Sequence, residues 1–219
     1  MPTPFLPRLI AITLIAASSI LANASSLKAL ENFLQTTHSG RASFTQVITS
    51  PSREGQTSKV KTSSGTFEFL RPNRFRFIYS KPFAQSIVSD GKTLWLYDAD
   101  LNQVTSRSLL KVAGSTPATI IAAGTDLKDL QTDFILQKLP ERSGLQWVQA
   151  TPKAQDGQLQ SIHVGLRPTS RGAELAVLEI LDAFGQRSSI TFSQFEANPP
   201  FASSRFEFQV PAGATVTRQ

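Results

Sequence analysis

The chain has 219 residues, with 22 lysines and arginines against 16 aspartates and glutamates, and no cysteine. That length permits one large domain or two small ones. The missing cysteine excludes disulfide stapling and a lipid anchor on an N-terminal thiol, and two histidines without a thiol suit no ordinary zinc site. The formal charge of +6 favours anionic surfaces, although a merely soluble basic protein carries as much.

Arg8 precedes an apolar run over residues 9–17, and Ala22-Asn23-Ala24 follows. A basic residue, a short apolar run and an Ala-x-Ala site form a secretory signal peptide over residues 1–24. The run is too short for a convincing membrane span. Cleavage after Ala24 leaves 219 − 24 = 195 residues and removes one arginine, so the charge becomes +5. Residues 25–219 are expected to form a single domain.

Ser25-Ser26 is positioned to cap a helix. Leu27, Leu30, Phe33 and Leu34 then share one helical face, and the helix is expected to stop near Gly40. A lone amphipathic helix must dock that face on something. Residues 41–50 read as a strand around Phe44, and residues 51–58 as a polar loop.

The centre of the chain is residues 65–104. Phe67 and Phe69 alternate with Thr66 and Glu68. Phe75, Phe77 and Tyr79 alternate with Arg74, Arg76 and Ile78, and Leu94 and Leu96 with Trp95 and Tyr97. Each set lies on one face of a strand. Pro72 separates the first two runs, and Asp90-Gly91 is a hairpin signal. The product is an antiparallel meander with an aromatic face.

Residues 103–109 add a strand. Ser115-Thr116-Pro117 starts a short apolar helix over 118–123, closed by Gly124 and followed by a further turn over 126–130. Strands return at 134–139, 145–151 and 162–167. A hairpin over 175–181 and 188–195 turns at Phe184-Gly185, and Phe206 and Phe208 belong to a last strand. Many antiparallel strands with few short helices predict one large curved sheet. Each phenylalanine alone reads as ordinary core. As a set, Phe67, Phe69, Phe75, Phe77, Phe192 and Phe208 suit an apolar cavity closed by short helices. Such a cavity fits acyl chains, each buried methylene contributing about 0.8 kcal/mol.

Arg71 lies beside that face. Its spacing leaves open whether the guanidinium serves backbone carbonyls, a ligand head group or water. Arg74 and Arg76 are expected to face water. No Gly-x-Ser-x-Gly elbow or phosphate-binding glycine loop occurs, and neither His38 nor His163 has a nearby partner in sequence. Asp98-Ala99-Asp100-Leu101-Asn102 starts like a calcium loop but lacks its central glycine and closing glutamate, so it reads as a turn. No enzyme, cofactor or metal site is expected. Basic residues among aromatics also occur on nucleic-acid surfaces; the export signal argues against that partner.

Arg71-Pro72-Asn73 with Phe75, followed by the run from Ser86 to Tyr97, resembles the periplasmic lipoprotein carrier family, LolA. Ala42-Ser43-Phe44-Thr45-Gln46, Ser115-Thr116-Pro117, Thr151-Pro152-Lys153 and Gln186-Arg187-Ser188-Ser189 fit the same family in the same order. The resemblance implies an incomplete, half-open antiparallel β-barrel covered by a helical lid, enclosing an apolar cavity. It implies a chaperone in the periplasm of a Gram-negative bacterium that shields the acyl chains of lipoproteins. An inner-membrane lipoprotein-releasing ABC transporter would load it and an outer-membrane receptor lipoprotein unload it. Arg71 matches the family arginine that locks the lid, and Phe75 an apolar residue at the mouth. Leu30 and Leu34 on the first helix, and Ile120 and Ile121 on the second, match lid positions. Leu94 and Leu96 join the phenylalanines as cavity residues.

The chain departs from the family at Arg74 and Arg76, where relatives carry apolar or neutral residues, and at Ala118, where they often carry a larger side chain. The alternatives are the lipid-anchored receptor of the same fold, against which the missing cysteine argues, an exported half-barrel binding module or sensor for another hydrophobic or lipidated ligand, and an exported hydrolase with a dispersed triad. Nothing in the sequence demands more than a monomer.

Overall fold

A computed structural model describes residues 26–52, 57–112, 117–122, 124, 126–154 and 157–219. The expected signal peptide, Ser25, Ser115 and Thr116 lie outside them. Helix α1 (Ser26–Thr36) buries Ala29, Leu30, Phe33 and Leu34, the stripe that helical spacing predicts. Among the described residues twelve strands then form one sheet, in the order β12-β6-β5-β4-β3-β2-β1-β11-β10-β9-β8-β7. They are β1 (Ser39–Thr49), β2 (Val60–Leu70), β3 (Arg74–Lys81), β4 (Gln85–Asp90), β5 (Thr93–Asp98), β6 (Gln103–Ser108), β7 (Phe134–Arg142), β8 (Leu145–Pro152), β9 (Leu159–Thr169), β10 (Gly172–Asp182), β11 (Arg187–Ala197) and β12 (Thr215–Arg218). Helices α2 (Leu109–Val112), α3 (Pro117–Ala122) and α4 (Leu127–Asp133) lie between β6 and β7. Asp126 caps α4 by accepting from the amides of Lys128 and Asp129.

Every neighbouring pair is antiparallel except β12 with β6. Most connections are hairpins, as alternation and turn residues predict. Two pairings are not hairpins: β12 with β6, and β1 with β11, which are 138 residues apart where Thr49 meets Arg187. With β7 and β12 at opposite ends of the order, the sheet stays open.

Two sequence expectations fail. Helix α1 ends at Thr36, not near Gly40, and Gly40 lies inside β1. A Cβ on Gly40 would collide with the Phe69 ring, so the glycine admits an aromatic rather than ending a helix. The helix is instead closed from the far end of the chain: Asn198 donates to the Thr36 carbonyl and accepts from the amide of His38 (2.7 Å). Phe206 and Phe208 do not form a strand. Phe206 closes a 3-10 turn (Ser203–Phe206), and the last strand is β12, which pairs in parallel with β6.

The register assigns two faces. Phe67, Phe77, Ile87 and Leu96 are successive cross-strand partners on the helix-covered inner face. Glu68, Arg76, Val88 and Trp95 are partners on the outer face. Residues 198–219 cover part of the outer face, where Val88, Val104 and Phe206 are buried apart from the main core. Glu68 is buried there. It accepts from Arg41 Nε (3.0 Å) and from Arg205 Nε and Nη2 (2.7 and 2.8 Å), while Arg76 lies at 3.9 Å. Arg76 faces outward as expected but is partly covered: it pairs with Glu68 and donates to the Arg205 carbonyl.

Candidate functional site

The inner face is one apolar cluster built from both halves of the sheet and all the helices except α2's exposed side. Its aromatic centre comes from β1, β2, β3 and β11. Phe67 lies 4.3 Å from Phe77, 5.7 Å from Phe69 and 5.4 Å from Phe192, between ring centroids. Phe44 packs edge-on against Phe77 (5.3 Å) and Tyr79 (5.0 Å). Phe33 of α1 reaches Phe69 and Phe195. Phe75 and Leu94 complete the buried centre, and Leu30, Leu34, Ile120 and Ile121 cover it, each at most 1 % exposed.

On β3, β5 and β10 exposure rises away from Arg71, whereas on β11 the half-buried Phe195 lies toward it. On β3, Phe75 and Phe77 are buried and Tyr79 is half-buried. On β5 the step runs from Leu94 to Leu96, and on β10 from Leu178 to Ile180. Ile87 is half-buried as well. A polar rung crosses this opening end: the Tyr79 hydroxyl donates to Gln46 Oε1 (3.0 Å), and Gln46 Nε2 donates to Ser188 Oγ (2.7 Å). Burial pushes the Tyr79 phenol up to about 12.

Arg71 occupies the other end, in the turn between β2 and β3. Its peptide bond to Pro72 is cis, and Asn73 has φ 62°. The backbone fixes the turn: Arg71 N donates to the His38 carbonyl (2.9 Å), and Asn73 N donates to the Ala122 carbonyl of α3 (2.5 Å). The guanidinium lies between the rings of Phe33 and Phe69, at 4.9 and 5.0 Å. Its Nη1 donates to the Leu34 carbonyl of α1 at 3.5 Å, a long bond. Nε and Nη2 are buried without a partner. Burial therefore lowers the guanidinium to about 10. One turn thus touches both covering helices, α3 through the backbone and α1 through the side chain.

Of the residues singled out in sequence, Phe208 alone departs from the inner face. It stacks on Trp95 (5.4 Å) and meets Tyr97 (6.2 Å), both on the outer face. The alternation with Phe206 misled because no strand exists there to set a period. Phe44, Phe33 and Gln46 belong to the site and were missed as members. Helical spacing flagged Phe33 and the strand over residues 41–50 centres on Phe44, while nothing local distinguishes Gln46 from a surface glutamine.

Among the described residues the histidines form no triad. His38 is exposed. His163 Nδ1 pairs with Glu179 Oε2 at 3.4 Å on the outer face, and neither Ser161 nor Ser189 beside it bonds to the ring. Among the described residues no group of three metal-ligating side chains gathers.

Residues 35–209 match the family described as outer membrane lipoprotein carrier protein LolA. This chain belongs to the LolA family. An outer-membrane lipoprotein carrier protein of Albidiferax ferrireducens is 61% identical over 205 residues, covering 94% of this chain and 96% of that protein. One from Leptothrix cholodnii is 51% identical over 198 residues, covering 90% and 88%. A solved LolA superfamily protein from Nitrosomonas europaea has a TM-score of 0.45 at 12% identity, covering 84% and 98%. Arg71 and the turn that touches α1 and α3 lie within the matched residues.

Proposed function

We propose that this protein is a periplasmic chaperone that carries lipoproteins from the inner membrane to the outer membrane, sheltering their acyl chains against its inner face. An ABC transporter of the inner membrane would release the lipoprotein to it, and a receptor lipoprotein of the outer membrane would take it over. The protein acts as a monomer and consumes nothing. The observation that carries the reading is a large aromatic inner face covered by short helices and opening at one rim. Buried hydrocarbon gains about 25 cal/mol per Å² there, without any directional bond to break on release.

Arg71 supplies a reason for release. Beneath α1 the guanidinium has the Leu34 carbonyl as an acceptor. Beneath an acyl chain it has none, since hydrocarbon accepts no hydrogen bond. Arg71 thus favours lid closure over retained cargo and biases handover toward the receptor.

The test mixes the mature protein with inner-membrane vesicles carrying a labelled lipoprotein and its releasing transporter, then adds ATP. A soluble equimolar complex is expected. No release, with the transporter active on another carrier, would sink the reading in favour of a binding module or sensor. Ester turnover abolished by replacing His163 would instead establish a hydrolase.

A further inference from the structure

Among the described residues, four of the eight large exposed hydrophobic side chains gather at one end of the sheet, the others being Leu110, Ile135, Val210 and Val216. Val60 (61%), Phe83 (62%), Leu101 (64%) and Phe184 (70%) all stand at the rim opposite Arg71. Phe83 is in the β3–β4 turn, Leu101 in the β5–β6 turn and Phe184 in the β10–β11 turn, while Val60 begins β2. Leu110, just after β6 at the Arg71 end, is the most exposed of all at 92% and stands apart from this group.

The turns are built to present these tips. Asp98 accepts from the Leu101 amide (3.1 Å) and from Gln85 Nε2 (2.8 Å). Asp182 accepts from the amides of Phe184 (2.9 Å) and Gln186 (2.8 Å). Both carboxylates are thereby engaged in local turns. Four exposed cations, Lys59, Lys61, Lys81 and Arg187, flank the tips, against Asp98, Asp100 and Asp182. At this rim the inner-face residues Tyr79, Ile87, Leu96 and Ile180 are only half-buried.

We infer that this rim docks on an anionic lipid bilayer, inserting Phe83, Leu101 and Phe184 among the head groups with the inner face opening toward the acyl chains. From the β5–β6 turn to the β10–β11 turn is six strand spacings, an arc of about 29 Å at about 4.8 Å each. Single apolar tips spread over such an arc form no contiguous patch of the kind a protein partner buries. A membrane surface receives them separately, and the flanking cations meet anionic head groups. A few tips give weak, reversible attachment, as a carrier that must leave requires. The inference rests on the lipoprotein-carrier reading and adds the surface through which cargo would pass.

The absence of cysteine allows clean site-specific labelling. Phe83→Cys, Phe184→Cys and Leu110→Cys are each labelled with a polarity-sensitive fluorophore and mixed with vesicles of phosphatidylethanolamine and phosphatidylglycerol. Labels at 83 and 184 are expected to shift to the blue and be quenched by a lipid-borne quencher, with no change at 110. High salt should weaken the response, as should pure phosphatidylcholine. The unlabelled triple variant Phe83→Ser, Leu101→Ser, Phe184→Ser should lose about tenfold or more in vesicle partitioning, with an unchanged circular dichroism spectrum.

Silent rim labels, or an equal response at 110, would overturn the inference. Equal binding to phosphatidylcholine would overturn the anionic surface. A response that follows protein concentration without vesicles would reassign the rim to an interface between copies. One that requires the transporter in the vesicles would reassign it to a protein partner. Capture of detergent-dispersed acylated lipoprotein is measured alongside. Capture with silent rim labels strikes only the docking, whereas failed capture strikes the carrier reading itself.

Discussion

Arg71 shows how a single buried side chain sets a balance. Burial lowers its guanidinium from the ordinary arginine range to about 10, which corresponds to about 3 kcal/mol of disfavoured charge at neutral pH. Two ring contacts and one long hydrogen bond return part of that. Arg71→Leu is therefore expected to stabilise the empty protein by about 1–2 kcal/mol, raising its thermal midpoint by about 2–8 °C. The same change should slow handover, because leucine lets hydrocarbon replace α1 without stranding a donor. An unchanged handover rate, measured as lipoprotein transferred to receptor-bearing membranes, would remove Arg71 from the release step. Tyr79 gives a second residue-scale test. Its phenol is pushed up from 10.0 to about 12, so its contribution is whole below pH 10 and is lost as pH rises through about 12. Arg71, lowered to about 10, acts in the opposite sense across the same alkaline range. Tyr79→Phe leaves Gln46 Oε1 without its donor and should cost about 1 kcal/mol at neutral pH. Urea titrations should then show this variant losing less stability than wild type between pH 10 and pH 12.

At the scale of elements, close strand packing places the aromatics. Gly65 sits at an irregularity in the β2–β3 register, and a Cβ there would strike the Ile78 backbone. A carbonyl in a ladder cannot swing aside as a side-chain tip can. Gly65→Ala should therefore cost about 1–3 kcal/mol, read from the denaturation midpoint. Gly40→Ala meets side chains alone, the Phe69 ring and less closely the Phe195 ring. It should displace the Phe69 ring from the Arg71 guanidinium and loosen α1, visible as faster amide exchange in residues 26–36 with a smaller loss of global stability. The Glu68 cluster joins two further elements, since Arg41 comes from β1 and Arg205 from the 3-10 turn.

For the whole molecule, the outer face is a second core that the C-terminal segment completes. Burial acts to raise the Glu68 carboxyl, but hydrogen bonds from Arg205 and Arg41 outweigh it and hold it below the usual value of 4.5. Its contribution is thus present above that value and is lost as pH falls through the lowered one. Glu68→Gln should cost about 2 kcal/mol, reduced from the fully buried case because Arg41 and Arg205 are each over 40% exposed. The acid-unfolding transition should move to higher pH. Since Phe208 stacks on Trp95, detachment of the segment should appear first as a change in tryptophan fluorescence.

Local rules settled most of the strands and the inner-face aromatics. Period-two alternation needs no tertiary information to assign a face, and Asp90-Gly91 or Gly185 turns the chain by its own backbone preference. The sequence by itself thus determined a mainly antiparallel sheet with one aromatic face and an amphipathic helix to cover it. What it could not determine depends on contacts across more than a hundred residues. Gly40 reads as a helix stop until Phe69 is known to lie over it, and Asn198 caps α1 from 162 residues away. Phe208 alternates like a strand residue, yet its face was decided by Trp95 and Tyr97, which reach it only when the segment wraps the outer side. The partners of Arg71, and the two donors it leaves unpaired, were likewise decided by tertiary structure. The reason is physical: propensity and periodicity act within a few residues, whereas burial is set by whatever surface the rest of the chain brings.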